Sequence, residues 1–209
     1  MYLPPKFKVI DSTTINKFIR SHSFAQLITN VNGVPYASHI PLLLEQGGTH
    51  GRLLGHVARA NKQWEGFDGK AKALAVFNGP HAYISPNWYI SKNIVPTWNY
   101  VSIHAYGKPK IISDQINSID IMRRIISFYE NDDTSKWSMD KLDNNFKEKK
   151  LKGIVTFEIL VDSIEAKFKL SQNHKLQDRR GAIKGLMDTG NIEAREIAQL
   201  MNDSLVDED

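Results

Sequence analysis

Two stretches of this 209-residue chain gather side chains with chemical capacity. In Gly55-His56-Val57-Ala58-Arg59-Ala60-Asn61-Lys62-Gln63-Trp64, an imidazole, a guanidinium, a carboxamide and an ammonium group stand among small residues. A phosphate monoester carries about two negative charges and asks for fork-like donors with little steric bulk. His56, Arg59, Asn61 and Lys62, beside Gly55, Ala58 and Ala60, are residues of those types. The second stretch runs Gly79-Pro80-His81-Ala82-Tyr83-Ile84-Ser85-Pro86-Asn87-Trp88-Tyr89 and resumes at Val95-Pro96-Thr97-Trp98-Asn99-Tyr100. Its prolines interrupt strand ladders, so parts of it are expected as loop. Trp and Tyr on a loop beside Asn, Ser and His line a cleft where a flat ring stacks and hydrogen-bonds. The same aromatics would equally seal one end of a barrel or a dimer interface.

Other chemistries find no support. No G-x-G-x-x-G follows a strand, and neither a triphosphate-cradling G-x-x-x-x-G-K-[ST] nor a G-x-S-x-G nucleophile elbow occurs. The seven histidines form no H-x-x-x-H or H-x-H pair, and the absence of cysteine removes thiolate ligands, thiol nucleophiles and disulfides together, so no metal site is expected. Lack of cysteine also suits a reducing interior, and the start of the chain lacks the basic and long apolar segments of a signal peptide, so a cytoplasmic protein is expected.

These residues need a β framework. After a helix from Ser12 to about Arg20, the runs Ala25 to Val31 and Val34 to Leu44 are joined by Asn32-Gly33, a pair suited to a type I′ hairpin. Further β-prone runs are Gly51 to Arg59, Ala73 to Phe77, His81 to Ser85, Tyr100 to Ile112 and Gly153 to Leu170, with a bend at Val161-Asp162-Ser163. The number of strands fits a closed antiparallel barrel. Met122, Ile125, Ile126 and Tyr129 recur at helical spacing behind Asp114 as N-cap. Asn131 to Lys150 is polar surface with one more helix near Lys141.

Net charge is +4, unevenly spread: residues 191–209 carry −5 and the rest +9. A basic body suits anions, and a solvated basic face without a partner is the plain alternative. Arg180 to Met187, a turn at Asp188 to Asn191, and Ile192 to Asn202 outline a helix-turn-helix. A second helix opening Ile192-Glu193-Ala194-Arg195-Glu196 repels phosphate, however, so a hairpin packing Ile183, Leu186, Met187, Ile197, Leu200 and Met201 is the plainer expectation. Lys167, Lys169, Lys175, Arg179, Arg180 and Lys184 form a nearby basic cluster, suited to phosphate or nucleic acid, or simply solvated.

Five blocks in order carry a resemblance across most of the chain: Met1-Tyr2-Leu3-Pro4-Pro5, Gly55 to Asn61, Gly79 to Pro86, Val95 to Tyr100, and Glu165-Ala166-Lys167-Phe168-Lys169-Leu170-Ser171-Gln172-Asn173. Together they resemble the PaiB family. The resemblance implies a mainly β protein with helices (α+β), an antiparallel FMN-binding split β-barrel of the pyridoxamine-phosphate-oxidase-like class. It implies a homodimer with FMN between subunits, and a negative transcriptional regulator of sporulation and degradative enzyme production, particularly secreted proteases. A barrel over residues 1–172 and a helical hairpin with acidic tail over 173–209 are expected. The matching blocks offer His56, Arg59 and Asn61 for the FMN phosphate, and Trp64, Tyr83, Ser85, Trp88, Trp98, Asn99 and Tyr100 for the ring or the interface. The Arg-x-Val-Leu-Leu-Lys phosphate strand of the typical oxidases is not visible, which counts against pyridoxamine phosphate oxidation and against the same phosphate geometry. Three classes stay open: a flavin-responsive regulator acting on DNA or a protein partner, a small FMN-dependent oxidoreductase, and a dimeric interaction module whose flavin site has decayed.

Overall fold

The computed structural model describes residues 1–130 and 137–206. Its order is β1 (Lys8–Val9), α1 (Ser12–Ser21), β2 (Phe24–Val31), β3 (Val34–Pro41), β4 (Leu43–Glu45), β5 (Arg52–Ala58), β6 (Ala73–Ile84), β7 (Thr97–Ile111), α2 (Gln115–Tyr129), α3 (Asn144–Leu151), β8 (Ile154–Lys169), α4 (Leu176–Asp188) and α5 (Ile192–Val206). Among the described residues, one eight-stranded sheet runs β3-β2-β6-β7-β8-β5-β4, with β1 against β8. The registers of β1 with β8, β2 with β3 and β6, β4 with β5, and β5 with β8 are all antiparallel. The last part of the acidic tail and the first residues after Glu130 lie outside the described residues.

Several elements form for the reasons the sequence supplies. Asn32 and Gly33 take φ of 53° and 84°, the double positive φ of a type I′ turn. Asp114 caps α2 by accepting from the Asn117 N–H at 2.8 Å. Three details differ from the sequence reading. Ala73 to Phe77 and His81 to Ile84 belong to one strand, β6, which runs straight through Asn78-Gly79-Pro80, and Ser85 lies just beyond its end. The ladder of β6 with β2 covers only Leu74 to Val76, so Pro80 deprives that pairing of no donor. Likewise β8 is continuous through Val161-Asp162-Ser163, which lies between its pairing with β5 and its pairing with β1. Finally, α2 buries Ile125 of the expected stripe against Leu43 and Leu54, but with Ile121 beside it, while Met122 and Ile126 are half-buried and Tyr129 is exposed, its hydroxyl 2.7 Å from that of Ser23.

Contacts group the chain into two compact units that are not sequential: Met1–Ile15, Asn78–Ile103 and Glu165–Asp209 in one, Asn16–Phe77 and His104–Ile164 in the other. This division differs from a cut near residue 172, because β6, β7 and β8 each contribute residues to both.

Within the second unit, Gln63 is fully buried, and its amide nitrogen lies 2.9 to 3.2 Å from Leu27 O, Thr29 Oγ1 and Tyr36 O. It ties the segment after β5 to the β2–β3 hairpin. Gln63→Met keeps the length of the side chain and strands those acceptors, so a loss of about 2 kcal/mol in urea unfolding is expected; an unchanged midpoint would show that the hairpin holds itself.

In the first unit, Asp178 is buried near the start of α4 and gathers the Ile90 N–H at 2.8 Å, the Ser91 N–H at 2.9 Å and the Ser91 hydroxyl at 2.6 Å. The Ser91 hydroxyl, then the Ser91 and Ile90 N–H groups, hold its carboxyl below the ordinary value of 3.8. A depressed folded pKa stabilises the fold above the unfolded value and loses that contribution as pH falls through the folded one. The melting temperature of Asp178→Asn should therefore lie below wild type at neutral pH, with the gap closing on acidification below about pH 4. A gap independent of pH would show that the charge is not what holds the loop.

Candidate functional site

The end of β5 turns sharply, and this turn organises Arg59. The guanidinium of Arg59 donates to Lys152 O at 2.8 Å through Nε and to Ile154 O at 2.9 Å through Nη2. The indole N–H of Trp64 donates to Arg59 O at 2.9 Å, and its ring lies 5.9 Å from the guanidinium carbon. Arg59 is thus fixed in direction by backbone carbonyls while its remaining nitrogen, Nη1, has no described partner. Neither Arg59 nor Lys152 has a carboxylate partner among the described ion pairs.

Arg59 and Trp64 form one wall of a cavity of about 590 Å³. Ser113, Gln115 and Ser118 reach it from the start of α2, Glu148 and Lys152 from α3 and the residue after it, and Ile111, Ile112, Leu151 and Val155 make it partly apolar. The hydroxyls of Ser118 and Thr156 lie 2.8 Å apart, and Ser118 also donates toward Asp114 O at 2.8 Å. Two cations without carboxylate partners among the described ion pairs favour an anion, with apolar wall and indole for a ring. The volume falls in the range of ordinary cofactor pockets. The donor set therefore fits a mononucleotide such as FMN, with Glu148 the single acid on the lining.

The other residues proposed for the phosphate lie differently. His56 is half-buried in β5 opposite Thr156, and its Nδ1 is buried without a hydrogen-bond partner. Burial lowers its pKa, so it stands as a neutral imidazole at neutral pH. Asn61 caps the short helical turn Lys62–Gly66 by accepting from the Gln63 N–H at 3.0 Å, and donates to the Ser38 hydroxyl at 2.8 Å. Gly55 has a packing reason: a Cβ there would sit 2.7 Å from Leu42 and 2.8 Å from Phe157. The sequence alone does not single out Lys152 and Thr156, which the β5–β8 register brings to Arg59 and His56, or Ser118, which α2 carries to Thr156.

Tyr83, Ser85, Trp88 and Trp98 belong to the other unit and line a separate groove of about 560 Å³. Asn99 is fully buried there, donating to Ser171 Oγ at 2.9 Å and toward Met201 S at 3.4 Å. Tyr100 lies 5.1 Å from the ammonium of buried Lys167. Lys169 donates to Trp98 O at 2.6 Å, and Arg179 to Ser204 Oγ at 2.9 Å. Three members of the basic cluster are thus engaged inside the unit, leaving Lys175, Arg180 and Lys184 exposed. The hairpin of α4 and α5 buries Leu186, Ile197 and Met201 and half-buries Ile183 and Leu200, while Met187 is exposed. The outward residues of α5 include Glu193, Glu196 and Asp203 against Arg195.

Comparison with known proteins supplies the family. Residues 1–163 match the family described as "Putative FMN-binding domain". Over 205 residues, 98% of each chain, the sequence is 38% identical to "Protease synthase and sporulation protein PAI 2" of Bacillus subtilis. Two solved structures share the fold at 12% identity: the flavocytochrome Anf3 of Azotobacter vinelandii, with TM-score 0.61 over 78% of this chain and 69% of that one, and the FAD and heme binding protein of Mycobacterium smegmatis, with TM-score 0.61 over 84% and 79%. The antiparallel α+β architecture expected from the sequence is accordingly that of flavin-binding split barrels. Full-length identity at this level and a matching domain over most of the chain agree: this protein belongs to the PaiB family, with residues 1–163 its FMN-binding domain.

Proposed function

We propose that this protein is a cytoplasmic, homodimeric FMN-binding regulator that restrains sporulation and the production of degradative enzymes. The observation that carries the flavin part is the Arg59 cavity, which two cations without carboxylate partners among the described ion pairs line together with the Trp64 indole and an apolar wall. Arg59 and Lys152 would hold the phosphate, and Trp64 with the apolar wall would take the ring. When bound, FMN supplies one- and two-electron redox chemistry. The regulatory part rests on full-length similarity to the sporulation protein of Bacillus subtilis. The acidic outward face of α5 disfavours it as a DNA-reading helix, so a protein partner suits this surface better than an operator. Among the described residues no helix is long and apolar enough to cross a membrane.

The test has two arms. Dialysed protein titrated with FMN should gain one equivalent of flavin per chain, and deletion of the gene should raise secreted protease activity until the wild-type chain is restored. Absence of flavin uptake would remove the cofactor reading, and unchanged protease levels would remove the regulatory one.

A further inference from the structure

The groove that holds Tyr83 and Trp98 has a chemistry of its own. Trp98 is 53% exposed and Tyr83 46%, an unusual outlay of aromatic surface on two strands. Their rings meet edge to face with centroids 5.9 Å apart, and the His81 ring lies 5.9 Å from Trp98 on another side. Trp98, His81 and Glu193 also border an adjoining hollow of about 510 Å³, so the indole is open to approach from both. Glu193, in the first turn of α5, lies 3.2 Å from His81 Nδ1, and both side chains are more than half exposed. Its carboxylate therefore keeps oxygen lone pairs available to a second cation.

Charge decides what such a groove takes. His81 and Glu193 are the only ionisable side chains on its lining apart from the Tyr83 phenol; Ser85, Asn87, Thr189 and Asn191 are neutral. Lys169 is near in the chain fold but is bound to the Thr97 hydroxyl and to Trp98 O, with its ammonium turned to the backbone. The positive start of α5 is offset, since Asn191 Oδ1 accepts from the Ala194 N–H at 3.1 Å and Glu193 stands in the first turn, so a phosphate would meet Glu193 and the negative faces of the rings. A compact cation would meet the same groups with attraction. The floor is firm, because the Trp88 indole is seated on Gly185 and the Trp88 carbonyl on Gly181 of α4.

We propose that this groove binds a small organic monocation, of the quaternary ammonium or N-alkylpyridinium type, between Trp98 and Tyr83 with Glu193 as its counter-charge. The site is independent of the flavin cavity, since it shares no lining residue with it.

The test uses the full-length protein with choline and the N-methylnicotinamide cation as probes, followed by saturation-transfer NMR and calorimetry. Their neutral counterparts, the carbon isostere of choline and nicotinamide, serve as controls. Each cation should bind at least about tenfold more tightly than its neutral counterpart. Trp98→Leu and Glu193→Gln should each weaken the cations by about fivefold or more while changing the neutral controls by less than about twofold. Both positions are exposed, and Trp98→Leu retains apolar bulk, so circular dichroism should report an intact fold. Equal binding of the neutral counterparts, no binding of either cation, or indifference to both substitutions would overturn the proposal. Displacement of choline by FMN would overturn it too, by making the groove part of the flavin site. Flavin uptake unaffected by Glu193→Gln, with cation binding weakened, is the expected pattern.

Discussion

Arg59→Glu is expected to weaken FMN binding by about a hundredfold, while leaving riboflavin binding within about twofold of wild type. The size follows from three changes at one place. A guanidinium-to-phosphate contact is lost, a carboxylate faces the dianion in its stead, and the alignment provided by Lys152 O and Ile154 O disappears. Riboflavin carries no phosphate, so the comparison isolates the end of the ligand that Arg59 addresses. Arg59→Lys keeps the charge and loses the fork, and a loss of about tenfold is expected. Lys152→Glu on the same cavity should behave like Arg59→Glu in sign. Because Arg59 is exposed and bonded only to carbonyl oxygens, removing it should cost the fold about 1 kcal/mol, well short of unfolding. Equilibrium dialysis with flavin fluorescence measures all of these. If Lys62→Glu abolishes FMN binding while Arg59→Glu and Lys152→Glu do not, the phosphate lies on the opposite side of the turn and the cavity is not the flavin site.

The parts of this molecule legible in the sequence are those whose cause is local. The Asn32-Gly33 turn and the Asp114 cap depend on φ preferences and on one side chain reaching three residues along, and both appear as expected. The run from Gly79 to Pro86 has no such local cause, because a proline ends a strand only where its missing N–H is needed, and that depends on which neighbour the strand has. The same limit governs the functional residues. Arg59 was visible as a cation among small residues, whereas its partner Lys152 sits 93 positions away and is brought near by the register of β5 with β8. Asn99 and Ser85 look alike in sequence as polar neighbours of aromatics. One is sealed inside against Ser171 and Met201, and the other caps a short turn by accepting from the Asn87 N–H. In the sequence Glu193 speaks only against a DNA-reading helix. Its pairing with His81, more than a hundred residues earlier, gives it a second meaning that only tertiary structure discloses.

Gly185→Ala is expected to destabilise the protein by about 2 kcal/mol, the reverse of what the same exchange does in an open helix. Alanine in the interior of α4 would gain about 1 kcal/mol from helix propensity alone. Here its Cβ would fall 2.2 to 2.4 Å from Cδ2, Cε2 and Cγ of the Trp88 indole, inside any tolerable contact. The indole cannot withdraw freely, because the loop that follows it is held by Asp178 through Ile90 and Ser91. The overlap is therefore relieved by displacing the indole from α4, which for a domain of this size lowers the melting temperature by about 6 °C. A second substitution tells this cause from a general intolerance of α4. In a Trp88→Ala background the space above Gly185 is empty, so Gly185→Ala should become neutral or stabilising, a coupling of about 3 kcal/mol between the two positions. Gly181 supplies the contrast: a Cβ there would lie 2.1 Å from the backbone oxygen of Trp88, and truncating the side chain leaves that oxygen in place. Gly181→Ala should accordingly remain destabilising in both backgrounds. Additive effects at position 185 would mean that the indole is not what keeps the residue small, and the floor of the aromatic groove would then owe its position to something other than this glycine face.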